Sequence, residues 1–428
     1  MVSNGSSEPS ASNRVNPVLA TKLKSGIDDD SQSVWEVTHI GPQEVWPLKG
    51  KFTVARKDSR VAIPGVIRSR IELEKQGISF LRPGSVAPSE LPITPRGTTY
   101  NMAQEVTWLD NQHFAVGRWD GSLSIFSYIE SATQGPLITT AVSDPGSEGV
   151  QMIALIAPWT FVTSCGGTRL SVWTATNNDW RTLQTQNIAY PQQLGAANSA
   201  AVTSDKGTPM LAVGHESGLL STWVIGGPKI LHIVGVINLQ NPHPVNPWNL
   251  HNIRGVAVIG GTLVVTGSED GFISVVQLPS TTVSQTVYNP AAQRGINDIS
   301  LSNGTDLLVA NCSVGESDFN LWAFQVAPNG NVTPTDRVNL RVDPTAPQVF
   351  NFCTVWSDIP AGRCFFSSTE EGALWAGTLT GGKFDILGYQ EVTSSLSSAL
   401  AYDAEGKLAL VSYDLHQFDT GGKDAKTT

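Results

Sequence analysis

Short apolar runs alternate with polar turns along most of the chain, and this pattern predicts strands rather than long helices. One unit recurs: an apolar strand, a polar or glycine-containing corner, then an alternating strand that ends near an aromatic residue. The clearest copies are FAVGRWDGSLSIF (114–126), FVTSCGGTRLSVW (161–173), LAVGHESGLLSTW (211–223) and VVTGSEDGFISVV (264–276). Weaker copies follow at 308–322, 365–377 and 408–418.

The spacing of these copies predicts a ring of repeated units. Their corner residues recur at intervals of about 41 to 55 residues and are Gly121, Thr168, Gly218, Gly271, Ser317, Gly372 and Tyr413. A small sheet with two apolar faces cannot bury both alone, whereas radial stacking buries both and leaves only short edges. We therefore predict an all-β, seven-bladed β-propeller. The strand ends expected to be wedges between blades are Phe126, Trp173, Trp223 and Trp322.

The repeats resemble the WD-repeat family of β-propellers over residues 100–419. The segments most similar to the family's turn are Trp119-Asp120-Gly121 and Ser268-Glu269-Asp270-Gly271. The Trp-Asp dipeptide at the strand ends and most of the Gly-His signature are missing. Kelch and sialidase-like propellers stay open, although neither a repeated Gly-Gly signature nor an Asp-box is present. The resemblance implies a non-catalytic protein–protein interaction scaffold or a subunit of a larger assembly.

The last copy stops near residue 418 without an outer strand, which predicts that another segment closes the ring. We expect residues 33–42 to supply it, because VWEVTHI (34–40) is rich in β-formers. Residues 1–32 and 420–428 are predicted to be disordered tails. Residues 43–99 form an irregular basic elaboration, and 100–419 hold the repeats, so that 33–419 is one propeller domain.

Charge is unevenly distributed along the chain. The formal net charge is −10, yet residues 49–96 hold ten basic and four acidic residues, so the rest carries −16. Three interpretations stay open for this segment: a solvated face paired to the acidic ring, a docking element for an acidic protein partner, or a site for nucleic acid or anionic lipid. The candidate partner-binding residues are Arg56, Lys57, Arg60, Arg68 and Arg70, with Trp248 on a separate loop among three prolines.

The sequence carries no catalytic signature that we could match. A phosphate-loop-like run at 377–383 is followed by Phe384, which lacks the hydroxyl that binds magnesium. Inner strands at 152–156 and 256–260 offer no ligand side chains, and Asn297 with Asp298 is an isolated exception. We predict no enzyme activity, no metal and no cofactor. The alternative is a propeller enzyme, such as a hydrolase or lactonase, that uses the central channel.

The expected location is the cytoplasm, with the nucleus left open. The N-terminus lacks the basic and apolar regions of a secretory signal, and no apolar stretch is long enough to span a membrane. Four cysteines in 428 residues do not make a disulfide framework. These features predict a soluble intracellular protein.

Overall fold

The computed structural model describes strands at 18–28, 32–38 and 50–54 and most of residues 103–412. Within 103–412 the gaps are 119–120, 128–136, 144–148, 165–167, 206, 227–229, 241–250, 289–294, 303–304, 315–318, 343–347, 358–363, 392–396 and 403–406.

Four sheets are antiparallel meanders of four consecutive strands. The first comprises β4 (Ala103–Trp108), β5 (His113–Arg118), β6 (Ser122–Ser127) and β7 (Leu137–Ser143). The second comprises β8 (Ile153–Ala157), β9 (Thr160–Ser164), β10 (Arg169–Thr176) and β11 (Asp179–Ala189). The third comprises β12 (Ala197–Asp205), β13 (Thr208–His215), β14 (Leu219–Ile225) and β15 (Leu231–Asn238), after a short 3₁₀ helix at Gln192–Leu194. The fourth comprises β16 (Ile253–Ile259), β17 (Leu263–Ser268), β18 (Phe272–Gln277) and β19 (Thr282–Val287).

The fifth sheet has eight strands because two meanders are hydrogen-bonded to each other. The first meander comprises β20 (Ile296–Leu301), β21 (Asp306–Val314), β22 (Leu321–Val326) and β23 (Val332–Val338). The second comprises β24 (Gln348–Ser357), β25 (Cys364–Thr369), β26 (Ala373–Thr380) and β27 (Lys383–Glu391). Strand β21 runs past the end of β20, and its last three residues pair with the start of β24.

An N-terminal strand completes the last sheet, but it is not the one predicted. The strand order is β28 (Ser397–Tyr402), β29 (Lys407–Ser412), β1 (Val18–Asp28), β2 (Gln32–Thr38) and β3 (Gly50–Val54). Strand β1 pairs directly with β29, whereas β2 lies one position further out. The structure thus places β1, rather than 34–40, beside the last unit, and it describes a strand at 18–28, where the sequence predicts a tail.

The described strands form six hydrogen-bonded sheets, so the prediction of seven separate blades is wrong in that count. The physical reason is the extension of β21, which joins two meanders into one sheet. The propeller architecture itself is confirmed. The first strands of the meanders (β4, β8, β12, β16, β20, β24 and β28) each contact the next, and β28 contacts β4. The ring thus closes around a central channel.

The predicted corners and wedges have clear physical roles. Gly121, Gly218, Gly271 and Gly372 have φ between 75° and 82°, a left-handed backbone that favours glycine. The predicted wedges are buried, and three of them pack against the preceding sheet: Trp173, Trp223 and Trp322. Large aromatic side chains between sheets stabilise the stack through the apolar area that they remove from water.

Candidate functional site: the mouth of the central channel

A β-bulge recurs at the start of six of the strands that line the channel. In each, the pairing register shifts by one residue, which leaves one residue unpaired. These unpaired residues are Gln104, Asn198, Arg254, Asn297, Phe352 and Ser398. A bulge bends its strand and redirects a side chain. The first five of these residues line one cavity.

That cavity lies at the end of the channel where the inner strands begin. It has a volume of about 590 Å³, and its lining also includes Glu105, Gln151, Glu216, Asp298 and Cys353. A second cavity of about 360 Å³ shares Glu105, Asn198, Arg254, Asp298 and Leu400 with the first. The two cavities therefore adjoin each other beside the inner strands.

Burial controls the protonation of the two carboxyl groups inside the mouth. Burial raises the pKa of Glu105 to about 8. The charge of Asp298 raises it further, whereas a hydrogen bond from the Val106 N–H at 3.0 Å lowers it. Burial also raises the pKa of Asp298 to about 7, although the N–H groups of Ile299 and Thr354 donate to it at 2.8 and 2.9 Å. Loss of hydration destabilises the charged form more than these hydrogen bonds stabilise it.

The thiol of Cys353 shares this environment. Burial raises its pKa well above the ordinary value, and the nearby carboxylates of Asp298 and Glu105 add to the effect. Cys353 is a free, buried cysteine. Because the thiolate is the nucleophilic form, this cysteine is held in its unreactive state.

Glutamates occupy the same turn position at the rim in three sheets. Their backbone N–H groups donate, at 2.8 to 2.9 Å, to a carbonyl at the start of the inner strand of the same meander. The acceptor is the residue just before the strand in two cases and the third residue of the strand in one. Their carboxylates accept hydrogen bonds from that same residue at 3.4, 2.7 and 2.8 Å. The pairs are Glu216 with Ala196, Glu269 with Asn252, and Glu370 with Phe350. Each glutamate thus ties a turn to an inner strand and gives the rim negative charge.

Arg254 supplies the positive charge among the described lining residues of the cavity. Its guanidinium contacts the Glu269 carboxylate through Nη2 at 2.6 Å and through Nε at 2.7 Å. This pairing neutralises Arg254. It leaves the carboxyl groups of Glu105 and Asp298 facing the cavity without a described cation of their own.

Asn198 presents a mostly buried polar side chain to this mouth. It is 9% exposed and lines both cavities. Within the described part of the chain, its carboxamide has no hydrogen-bond partner. Its amide atoms stay accessible to the cavity, so a ligand or solvent in the channel can use its two donors and its acceptor.

Histidines near the rim serve the turns of the sheets. His251 Nδ1 lies 3.1 Å from the buried Asp270 carboxylate, which also accepts a hydrogen bond from Ser268. His215 contacts Ser221 at 2.6 Å, and the Trp223 indole donates to the same hydroxyl at 2.8 Å. Burial lowers the pKa of His215 to about 4, so its ring is neutral near pH 7.

The partner-binding residues predicted from the sequence lie outside the described residues. These are Arg56, Lys57, Arg60, Arg68, Arg70 and Trp248. The structure does place Asn297 and Asp298 at the channel, but they are not isolated there, because Glu105, Asn198 and Arg254 join them. Sequence reasoning missed these three because it examined the inner strands at 152–156 and 256–260. The polar residues are the second or third residues of their strands, where the bulges interrupt the alternation.

Two further features bear on chemistry and location. The described residues include no group of three or more His, Cys, Asp or Glu side chains arranged to hold a metal ion. In the same part of the chain, no helix is both long and apolar enough to cross a membrane.

Comparison with known proteins supports the fold. No family model and no curated protein matches the chain. Among solved structures, the β-propeller domain of Cps50 (Swd1) from Myceliophteria thermophila is similar, with a TM-score of 0.52 and 12% identity over 73% of this chain and 96% of that chain. A chain of the mitotic checkpoint complex has a TM-score of 0.53 and 11% identity over 72% of this chain and 86% of that chain. These likenesses show the β-propeller fold.

Proposed function

We propose that the chain is a non-catalytic protein–protein interaction scaffold, or a subunit of a larger assembly, that uses the channel mouth to contact a partner. One observation carries this proposal: the titratable groups that line the mouth are held by hydrogen bonds or an ion pair, and the thiol among them is held protonated. The origin of one similar chain in a multi-protein complex is consistent with it.

The competing proposal is an enzyme that uses the same channel, as hydrolase or lactonase propellers do. The raised pKa values of Glu105 and Asp298 favour it, because perturbed carboxyl groups in a cavity are typical of catalytic sites. Two features weigh against it. Both oxygens of Asp298 accept backbone N–H groups, and Cys353 is not a thiolate near pH 7.

Affinity capture from the native source tests the scaffold proposal. We expect wild-type protein to retain defined partners and Glu216→Gln to retain them less well, because the substitution removes charge from the rim while an oxygen remains to accept the Ala196 N–H. Asp179→Asn is the matched control, since Asp179 is the first residue of β11, after the β10–β11 turn and away from the residues that line the mouth. Equal capture by all three proteins would contradict use of the mouth.

The basic segment stays a second candidate contact. We propose that Arg56, Lys57, Arg60, Arg68 and Arg70 dock an acidic face of a protein partner, with Trp248 as a separate contact. Surface charges of this kind act mainly on association rate and specificity. Changing the five residues to Ser is expected to weaken capture and flatten its salt dependence while the protein still folds. Undiminished capture at low salt would refute this role.

Cytoplasmic location also stays a prediction.

A further inference from the structure

We propose that the channel mouth binds a guanidinium or ammonium group, such as an arginine or lysine side chain of a partner protein, between Asn198, Glu105 and Asp298. This inference deepens the proposed function by naming the chemistry of the contact, but it is tested below without any partner. The two proposals can therefore fail separately.

The cavity has the size and enclosure for such a group. Its volume of about 590 Å³ exceeds that of a single side chain, and it shares part of its lining with the second cavity. Glu105, Asn198 and Asp298 all belong to this shared boundary. A side chain entering along the axis meets them together.

Hydrogen-bonding capacity at the boundary is unused. The Asn198 residue is 9% exposed, and its carboxamide has no hydrogen-bond partner among the described residues. The Glu105 carboxyl accepts a described hydrogen bond at one oxygen only, from the N–H of the adjacent Val106. A guanidinium carries five N–H donors in a planar fork, and an ammonium carries three, so either can satisfy several such oxygens at once.

Charge favours a cation over an anion or a neutral ligand. The titratable and charged groups that line the cavity are Glu105 from β4, Glu216 from the turn after β13, Arg254 from β16, Asp298 from β20 and Cys353 from β24. Arg254 is paired with Glu269. The described lining residues of β12 and β28 carry no charge. An entering cation would therefore be the counter-ion that the two inner carboxyl groups lack.

Protonation gives this site a measurable signature. Near pH 7 Glu105 holds a proton because burial disfavours its charged form. A cation placed beside it favours the carboxylate, so binding must expel protons to the buffer. A neutral ligand of the same shape would not expel them.

The test uses acetyl-arginine-methylamide and its neutral citrulline analogue as probes of the full-length protein, by titration calorimetry at pH 7 in two buffers of different ionisation enthalpy. We expect saturable binding of the arginine probe, at least about tenfold weaker binding of the citrulline probe, and release of up to about one proton per probe. Glu105→Gln should reduce proton release. Asn198→Ala should weaken binding roughly tenfold.

The controls decide between outcomes. Gln184→Ala removes an exposed carboxamide from β11 on the perimeter and should bind the probe as wild type does. Melting curves of each variant verify folding. Equal binding of both probes, or proton release unchanged in Glu105→Gln, would overturn the proposal.

The same probe shows whether the basic segment of this chain occupies the site. If wild type fails to bind the arginine probe but the variant with Arg56, Lys57, Arg60, Arg68 and Arg70 changed to Ser binds it, the site is real and the basic segment competes for it. Failure of both proteins to bind would refute the cation site, while the capture experiment would still decide the scaffold proposal.

Discussion

Protonation of Glu105 couples the channel mouth to the stability of the ring. Its pKa is about 8 in the folded chain, against an ordinary value of 4.5. A carboxyl group with a raised pKa binds more protons in the folded state than in the unfolded state between these two values. Its favourable contribution is therefore fully present below about pH 4.5 and is lost as the pH rises through 8.

Glu105→Gln should remove this pH dependence. If the variant matches wild type near pH 5, we expect its free energy of unfolding to exceed that of wild type by up to about 4 kcal/mol at pH 9, because the wild type must then bury a charge. Urea denaturation at pH 5, 7 and 9 measures the difference. Glu216→Gln on the more open rim serves as the control. A Glu105 difference that does not grow with pH would show that the carboxyl is hydrated in the folded protein.

The residue types in the sequence do not by themselves reveal the site at the channel mouth. Glu105, Asn198 and Arg254 are ordinary polar residues in the sequence, and each lies beside small or apolar neighbours. What brings them to the cavity is the register shift at the start of each inner strand. A bulge depends on pairing with the next strand, so its position is not fixed by local alternation.

Asparagine side chains join the two meanders of the eight-stranded sheet. Asn320 donates to the Leu340 carbonyl at 2.8 Å and the Val349 carbonyl at 3.3 Å, and its oxygen accepts from the Leu340 N–H at 2.7 Å. The Asn351 amide in turn donates to the Asn320 carbonyl at 3.1 Å. Both asparagines are fully buried. They therefore satisfy backbone groups that the junction of two strands would leave unpaired.

Asn320→Leu should destabilise the protein by about 3 kcal/mol. The substitution keeps the side-chain volume but leaves buried backbone groups of Leu340 and Val349 without their hydrogen bonds. Chemical denaturation followed by tryptophan fluorescence measures the change. Asn329→Ala is the control, since Asn329 lies in an exposed turn, where its side-chain oxygen accepts a hydrogen bond from the Asn331 N–H. It should cost no more than about 1 kcal/mol. A similar loss in both variants would mean that the junction does not depend on Asn320.

At the scale of the whole molecule, pairing between the N-terminal strand β1 and strand β29 completes the last sheet. Strand β1 pairs with β29 from Val18 opposite Val411 to Lys22 opposite Lys407. Removing β1 would expose the β29 edge and separate β2 and β3 from the ring. Unpaired edges of this kind lose backbone hydrogen bonds and favour aggregation.

Truncation of the N-terminus tests this closure. Deleting residues 1–16 should leave the melting temperature nearly unchanged, whereas deleting 1–30 should lower it by roughly 5–10 °C or more. The sequence alone predicted that even a deletion of 1–32 would be harmless, so the experiment separates the two closing strands. Equal melting temperatures for both truncations, with a fall only after 34–40 is removed, would restore the original assignment. Scanning calorimetry supplies the measurement.

The sequence by itself determined the repeating unit of this protein. Alternating apolar residues, corner glycines such as Gly218 and Gly271, and strand-end aromatics such as Trp223 are local features, and local backbone and packing preferences fix them. Tertiary structure alone decided which N-terminal strand closes the ring, that β21 joins two meanders, and that Glu105, Asn198 and Asp298 meet at the channel. Each of these depends on pairing between segments far apart in the chain, where several registers satisfy the same local pattern and only packing of the complete ring selects one.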